Sequence, residues 1–228
     1  MIFSFRITIA MYFASPASAP TYFGNDFKAA ENQMAAYDSL FTDAAAFYKQ
    51  DTDVLKAIVF PEFLRYSYLS DLMESFALEQ IYTEYGSSMA DFSIGQCQMK
   101  PSFAEDIEKR GINNPSFRSA FTSVNTGNSP AARRERVERM KNIKWQLRYL
   151  ALFVKIAGDK FRLNNYTKQE KVRMLATIYN RGMNVSLQRL PLLAAQHSFP
   201  NGNRAGNSNP YAYADLSILF MKRNAQQP

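Results

Sequence analysis

Leu55, Ile58, Val59 and Glu62 stand at offsets of zero, three, four and seven, so a carboxylate takes the position that should continue an apolar helical stripe. Burial there disfavours the ionised form and raises the pKa, as a carboxylic general acid working near neutral pH requires. Pro61 leaves a second reading open. If it starts a new helix, Glu62 falls in the first turn and merely complements the helix dipole. Farther along runs Ser93-Ile94-Gly95-Gln96-Cys97-Gln98-Met99-Lys100-Pro101. Its glycine lets backbone come close to a ligand, and its glutamines can both donate to and accept from an amide or a hydroxyl-rich sugar. Taken alone, the segment is also an ordinary loop before a helix. Late in the chain Val172, Leu175, Ala176 and Tyr179 share one apolar face, and Tyr179 brings a hydroxyl to its end just before Gly182. A core tyrosine explains the same pattern.

Other chemistries have little to work with. Cys97 is the only cysteine and His197 the only histidine, so neither an intrachain disulfide nor a cysteine zinc site can be built. Any Ser-His-Asp or Cys-His pair would have to use His197, which lies in a polar, Gly/Asn-rich neighbourhood. We therefore expect no metal and no cofactor. The formal charge of +7 suits a polyanionic partner such as nucleic acid, anionic lipid or an acidic wall polymer. In the densest basic stretch, Arg133, Arg134, Arg136, Arg139, Lys141 and Lys144 are interspersed with Glu135 and Glu138 at helical spacing. That pattern predicts a solvated helix face rather than a nucleic-acid surface.

The elements that must hold these residues read as helices. Apolar residues recur at three- and four-residue intervals over 27–48, and a second helix begins at the capping residues Thr52 and Asp53 and must kink or restart at Pro61. Further helices are predicted over 69–85, over 102–109 ending at Gly111, over 131–156 ending at Gly158, and over 168–180 ending at Gly182. Residues 200–210 form a loop, and 213–221 pack a final helix onto the body. With 228 residues and few strand signals, we read one mainly α domain with few or no strands over 20–228. Residues 1–19 have the form of a signal peptide: one early cation, a short apolar run, then Ala17-Ser18-Ala19 in small-residue cleavage form. No later stretch is apolar enough to span a bilayer, so no integral membrane segment is expected after cleavage.

The order of the three candidate segments adds what none carries alone. A helix with Ala57-Ile58 four residues before Glu62, then Ser-x-Gly-x-x-Gln-x-x-Pro, then Ala-x-x-Tyr-Asn-x-Gly, resembles the soluble lytic transglycosylase family of lysozyme-like enzymes. In that family the first segment holds the catalytic glutamate, the second usually reads Gly-Leu-Met-Gln with a proline shortly after, and the third reads Ala-Tyr-Asn-Ala-Gly. The resemblance covers about residues 54–182. The sequence departs from the pattern in two places: Phe63 rather than serine follows Glu62, and the interval from Glu62 to Gly95 is long, consistent with an inserted helix over 68–85. Glu79 is the alternative acid, and Glu74, which does precede a serine, is another.

The resemblance implies a lysozyme-like helical domain, exported to the periplasm or cell envelope, that cuts the β-1,4 bond from N-acetylmuramic acid to N-acetylglucosamine in peptidoglycan. It implies Glu62 as acid and base, Tyr179 orienting it by a hydrogen bond, and Ser93, Gly95, Gln98 and Asn180 holding the sugars. Asp91, just before the Gly95 loop, is a possible second carboxylate that would give a hydrolytic muramidase, or else an exposed loop or capping residue. A lysozyme-fold protein that binds glycan or a partner without cutting is the other alternative, because a fold does not establish an activity.

Overall fold

The computed structural model describes residues 18–68, 75–115, 117–201 and 209–226. Residues 1–17 of the signal-like segment, and Glu74, lie outside them. Eleven α-helices and one two-stranded sheet are present among the described residues. In chain order they are α1 (Ala19–Phe23), α2 (Asn25–Ala36), α3 (Asp38–Phe47), α4 (Thr52–Tyr68), α5 (Ser75–Tyr85), α6 (Pro101–Asn113), α7 (Pro130–Lys141), α8 (Ile143–Lys160), α9 (Lys168–Arg181), α10 (Leu190–Ala194), β1 (His197–Phe199), β2 (Tyr211–Ala212) and α11 (Tyr213–Asn224). The two strands pair antiparallel with His197 opposite Ala212. The fold is mainly α with few strands, as the sequence pattern predicts. No helix among the described residues is long and apolar enough to cross a membrane.

The centre of the fold is α4. Val54, Leu55, Ala57, Ile58, Val59, Phe60, Pro61, Glu62, Phe63 and Leu64 are all buried, so this helix is surrounded rather than amphipathic. Helices α2, α3, α9 and α11 pack around it. Phe60 is held between the Phe27 ring, at 5.1 Å, and the Phe220 ring, stacked at 4.4 Å. Burying one such ring stabilises the fold by about 2–3 kcal/mol, and the first and last long helices are thereby tied to one core residue.

Pro61 neither kinks nor restarts the helix in a way that interrupts it, for α4 runs unbroken from Thr52 to Tyr68. The ring removes one helical hydrogen bond, and dense packing on all sides compensates. Glu62 is therefore mid-helix and buried, not in a first turn. Two stretches read as single helices are pairs instead. The 27–48 segment breaks at Tyr37, whose ring packs edge-on to Phe63 at 6.2 Å. The 131–156 segment breaks at Asn142, whose side chain accepts hydrogen bonds from the backbone N–H groups of Lys144 and Trp145 and so starts α8. Gly111 and Gly158 do not end their helices. Gly111 is a packing glycine: a Cβ there would lie 2.4 Å from the Phe121 ring.

Candidate active site

Glu62 lies within the buried run of α4 and lines a cleft of about 510 Å³. The cleft is walled by Asp91, Ser93 and Gln98 to Lys100 from the segment before α6, by Ser102, Phe103 and Asp106 of α6, and by residues from Tyr179 to Asn184 at the end of α9. α9 stops where the sequence predicts, with Gly182 at a positive φ of 88° and its N–H bonded to the Ile178 carbonyl. That stop turns Tyr179, Asn180 and Gly182 towards Glu62.

The Glu62 carboxyl is 4% exposed. Burial pushes it above the ordinary carboxylate value of 4.5, and the paired Arg65 guanidinium, then Tyr213 and more distant Lys100, oppose that rise without cancelling it. Arg65 Nη1 donates to Glu62 Oε2. The same guanidinium donates from Nε to the Pro200 carbonyl at 3.0 Å and lies 4.9 Å from the centre of the Phe199 ring. One oxygen of Glu62 is thus held by Arg65 beside a cleft that its carboxyl lines.

The segment between Ser93 and Pro101 closes as a tight hairpin through Ile94 N–H to the Met99 carbonyl at 2.8 Å and Met99 N–H to the Ile94 carbonyl at 3.1 Å. Gly95 has a φ of +66°, and a Cβ on it would stand 1.7 Å from Nε2 of Gln146. Gln146 is fully buried on α8, accepts from the Cys97 N–H at 2.9 Å, and donates to the Met140 carbonyl. The glycine therefore admits the side chain that pins the hairpin, and Gly95 itself is not among the residues that line the cleft. Gln98, at a φ of 48°, donates to the Gly95 carbonyl at 3.0 Å and still lines the cleft. Cys97 is buried and unpaired with any other cysteine.

Tyr179 is at the cleft, but its proton goes to the Cys97 carbonyl at 2.8 Å rather than to Glu62. Its ring packs edge-on against Phe103 at 5.3 Å and Phe153 at 5.4 Å. Tyr213, the first residue of α11, comes to Glu62 from the other side and donates its buried hydroxyl to the Ile58 carbonyl of α4 at 3.1 Å. Asp91 is a capping residue at the edge of the cleft. It lines the cleft, while its oxygens accept from the Ser102 N–H at 2.9 Å and the Ser102 hydroxyl at 2.8 Å, capping the first turn of α6. Ser93 and Asn180 line the same cleft. Glu79 does not: it sits on α5 and pairs with Lys141 of α7 at 2.7 Å.

The basic stretch around α7 is a solvated face only in part: Arg134, Glu135, Glu138, Lys141 and Lys144 are exposed, whereas two of its arginines turn inward. Arg136 and Arg139 are buried, and both pair with buried Glu108 of α6, at 2.7 and 3.0 Å. Arg65, Tyr213 and Gln146 are the site residues that sequence patterns passed over. Arg65 carried a local signal, three residues after a glutamate on one helix. The other two reach the site only through the tertiary fold.

No protein-family model, curated protein or solved structure matches the chain, so its functional reading rests on this geometry and on the motif resemblance.

Proposed function

We propose that this protein is a peptidoglycan lytic transglycosylase with Glu62 as its acid and base. The observation that carries the reading is a single buried carboxyl, lining a polar cleft, whose burial favours the protonated form. Protonated Glu62 gives its proton to the glycosidic oxygen between N-acetylmuramic acid and N-acetylglucosamine as that bond breaks. The resulting carboxylate takes the proton of the muramoyl C6 hydroxyl, whose oxygen bonds to C1 and closes a 1,6-anhydro ring. No water is consumed, so one carboxylate suffices. Gln98, Ser93 and Asn180, which line the cleft, hydrogen-bond the N-acetyl sugars in this reading, and Phe103 meets a sugar face. The net charge of +7 complements the free carboxylates of peptide stems. Such a substrate agrees with export to the periplasm or cell envelope, to which the signal-like N-terminus also points.

A hydrolytic muramidase is the second reading, because the Asp91 carboxylate lines the same cleft. Its commitment to Ser102 weighs against it. Mass spectrometry of peptidoglycan digested with the protein and with Glu62→Gln separates the outcomes. Anhydromuropeptides abolished by the substitution support the transglycosylase. Reducing-end products support the hydrolase. A wild type that binds glycan and releases nothing leaves a non-catalytic glycan-binding protein.

A further inference from the structure

Arg65 follows Glu62 by about one turn of α4, and its Nη1 donates to Glu62 Oε2. A guanidinium can only donate, so Oε2 is an acceptor whether Glu62 is ionised or protonated. In the protonated acid the hydrogen therefore sits on the other oxygen, Oε1. The guanidinium is itself held by residues late in the chain. Its Nε donates to the Pro200 carbonyl at 3.0 Å, and it lies 4.9 Å from the centre of the Phe199 ring and 5.9 Å from that of Tyr213. Tyr213 is in turn tied to α4 by its hydroxyl, which donates to the Ile58 carbonyl at 3.1 Å. A planar guanidinium that meets a carboxyl, a backbone carbonyl and two aromatic rings at once keeps one geometry.

We infer that Arg65 is a positioning residue for Glu62: it holds the carboxyl by Oε2, leaves Oε1 as the oxygen that carries the transferable proton, and is itself clamped by Phe199, Pro200 and Tyr213. Residues beyond the motif-bearing stretch thereby control the acid. The use of that proton in turnover rests on the reading proposed above; the clamp on the carboxyl is a property of the folded protein.

The other charged and titratable groups around the cleft are engaged elsewhere. From α9, Tyr179 donates to the Cys97 carbonyl at 2.8 Å, and Arg181 to the Gln196 side chain at 2.9 Å. From the hairpin come the buried Cys97 thiol and, at its end, Lys100, whose ammonium lies 3.9 Å from Asp91. Asp91 accepts from Ser102, and Asp106 of α6 accepts from Arg110 at 2.8 Å. Among the described residues, Arg65 is thus the cation paired with Glu62. Burial drives Cys97, Tyr179 and Tyr213 all well above their ordinary values, so Glu62 is the member of this cluster placed to change charge in the acid-to-neutral range. Burial raises its carboxyl too, and Arg65 is the strongest of the groups that oppose the rise. Without that guanidinium the acid would keep its proton to higher pH.

The test reads Glu62 directly, by the pH titration of its carboxyl carbon in protein labelled with 13C-glutamate, the resonance being assigned by Glu62→Gln. Arg65→Met keeps an unbranched side chain and removes the cation, and it raises the Glu62 midpoint by about 1–2 pH units. Phe199→Leu leaves Arg65 in place and takes one ring from the clamp, and it raises the midpoint by about half a unit. In turnover the alkaline limb of the kcat profile moves up with the midpoint in both variants, a displacement that a merely structural role does not produce. A midpoint unchanged in folded Arg65→Met overturns the inference, and one unchanged in folded Phe199→Leu overturns the clamp on which it depends. If Arg65→Met does not fold, citrulline in place of Arg65, the same shape without the charge, must raise the midpoint, and no movement there overturns the inference equally. Should the wild type cut no glycan, the proposed function fails while the titration still decides the positioning.

Discussion

Among the described residues two glutamates are buried, each near arginine and tyrosine, and they are satisfied to different degrees. Glu108 is closed off. Its Oε2 accepts from Arg136 Nε and Nη2 at 2.9 and 2.7 Å, and its Oε1 accepts from Arg139 Nη2 at 3.0 Å and the Tyr149 hydroxyl at 2.5 Å. Four donors meet one carboxylate, which joins α6, α7 and α8. Glu62 has one arginine on one oxygen and a cleft in front of it. A buried carboxylate with a complete donor set is locked in one charge state and serves stability. One with an incomplete set keeps a proton within reach of a ligand, at a cost in stability that the function must justify.

The comparison is tested most severely by exchanging each acid for its amide. Glu62→Gln should lower glycan cleavage by about 10²–10⁴-fold, measured as released anhydromuropeptide, with little change in unfolding temperature. Its effect on stability has a sign. Because the folded carboxyl titrates above its ordinary 4.5, the contribution of Glu62 is fully present below that value and is lost as pH rises through the higher folded value. The amide variant should therefore show less loss of stability on going from acid to neutral pH, followed by urea unfolding at several pH values. If both proteins depend on pH identically, Glu62 is not the strained group described here.

Glu108→Gln should do the reverse. It leaves Arg136 and Arg139 buried without their counter-charge, costing about 3–5 kcal/mol, or about 10 °C of melting temperature for a chain of this size. Any activity remaining in the folded fraction should have the wild-type pH profile. A stable Glu108→Gln protein with an altered profile would erase the distinction between the two sites.

Smaller changes sharpen the picture of how the cleft is held. Gly95→Ala combines a disfavoured positive φ with a collision at Gln146, and should cost about 1–3 kcal/mol. It should also loosen the backbone carbonyl on which Tyr179 rests, seen as faster amide exchange at Cys97 and Met99. The mildest change is Asp91→Asn. As a cap it should cost about 1 kcal/mol of stability and leave the anhydro product in place. A switch or loss of product on Asp91→Asn would make it a second reacting carboxylate instead.

Much of the helical content is legible in local pattern, because periodicity and end signals act within a turn or two. The stop at Gly182, the start at Thr52 and the final helix after residue 212 are read in this way. The breaks at Tyr37 and Asn142 are not, because apolar spacing continues across them and a cap or a ring contact decides where the chain turns. Pro61 misleads in the opposite sense, since enclosure on all sides outweighs one lost hydrogen bond.

By itself the sequence determined that Glu62 continues an apolar run, and so meets a desolvation cost, and that Ser93, Gln98 and Asn180 belong to segments able to meet a polar ligand. Those properties follow from residue type and near neighbours. Only the tertiary structure decided that Gly95 serves Gln146, that Tyr179 bonds Cys97 while Tyr213 bonds Ile58, and that Arg136 and Arg139 point inward to Glu108. Each of these pairs joins residues far apart in the chain. A hydrogen bond or ion pair of that kind has no periodicity to announce it: its partners are selected by which helices pack together and by the need to satisfy every polar group those helices bury.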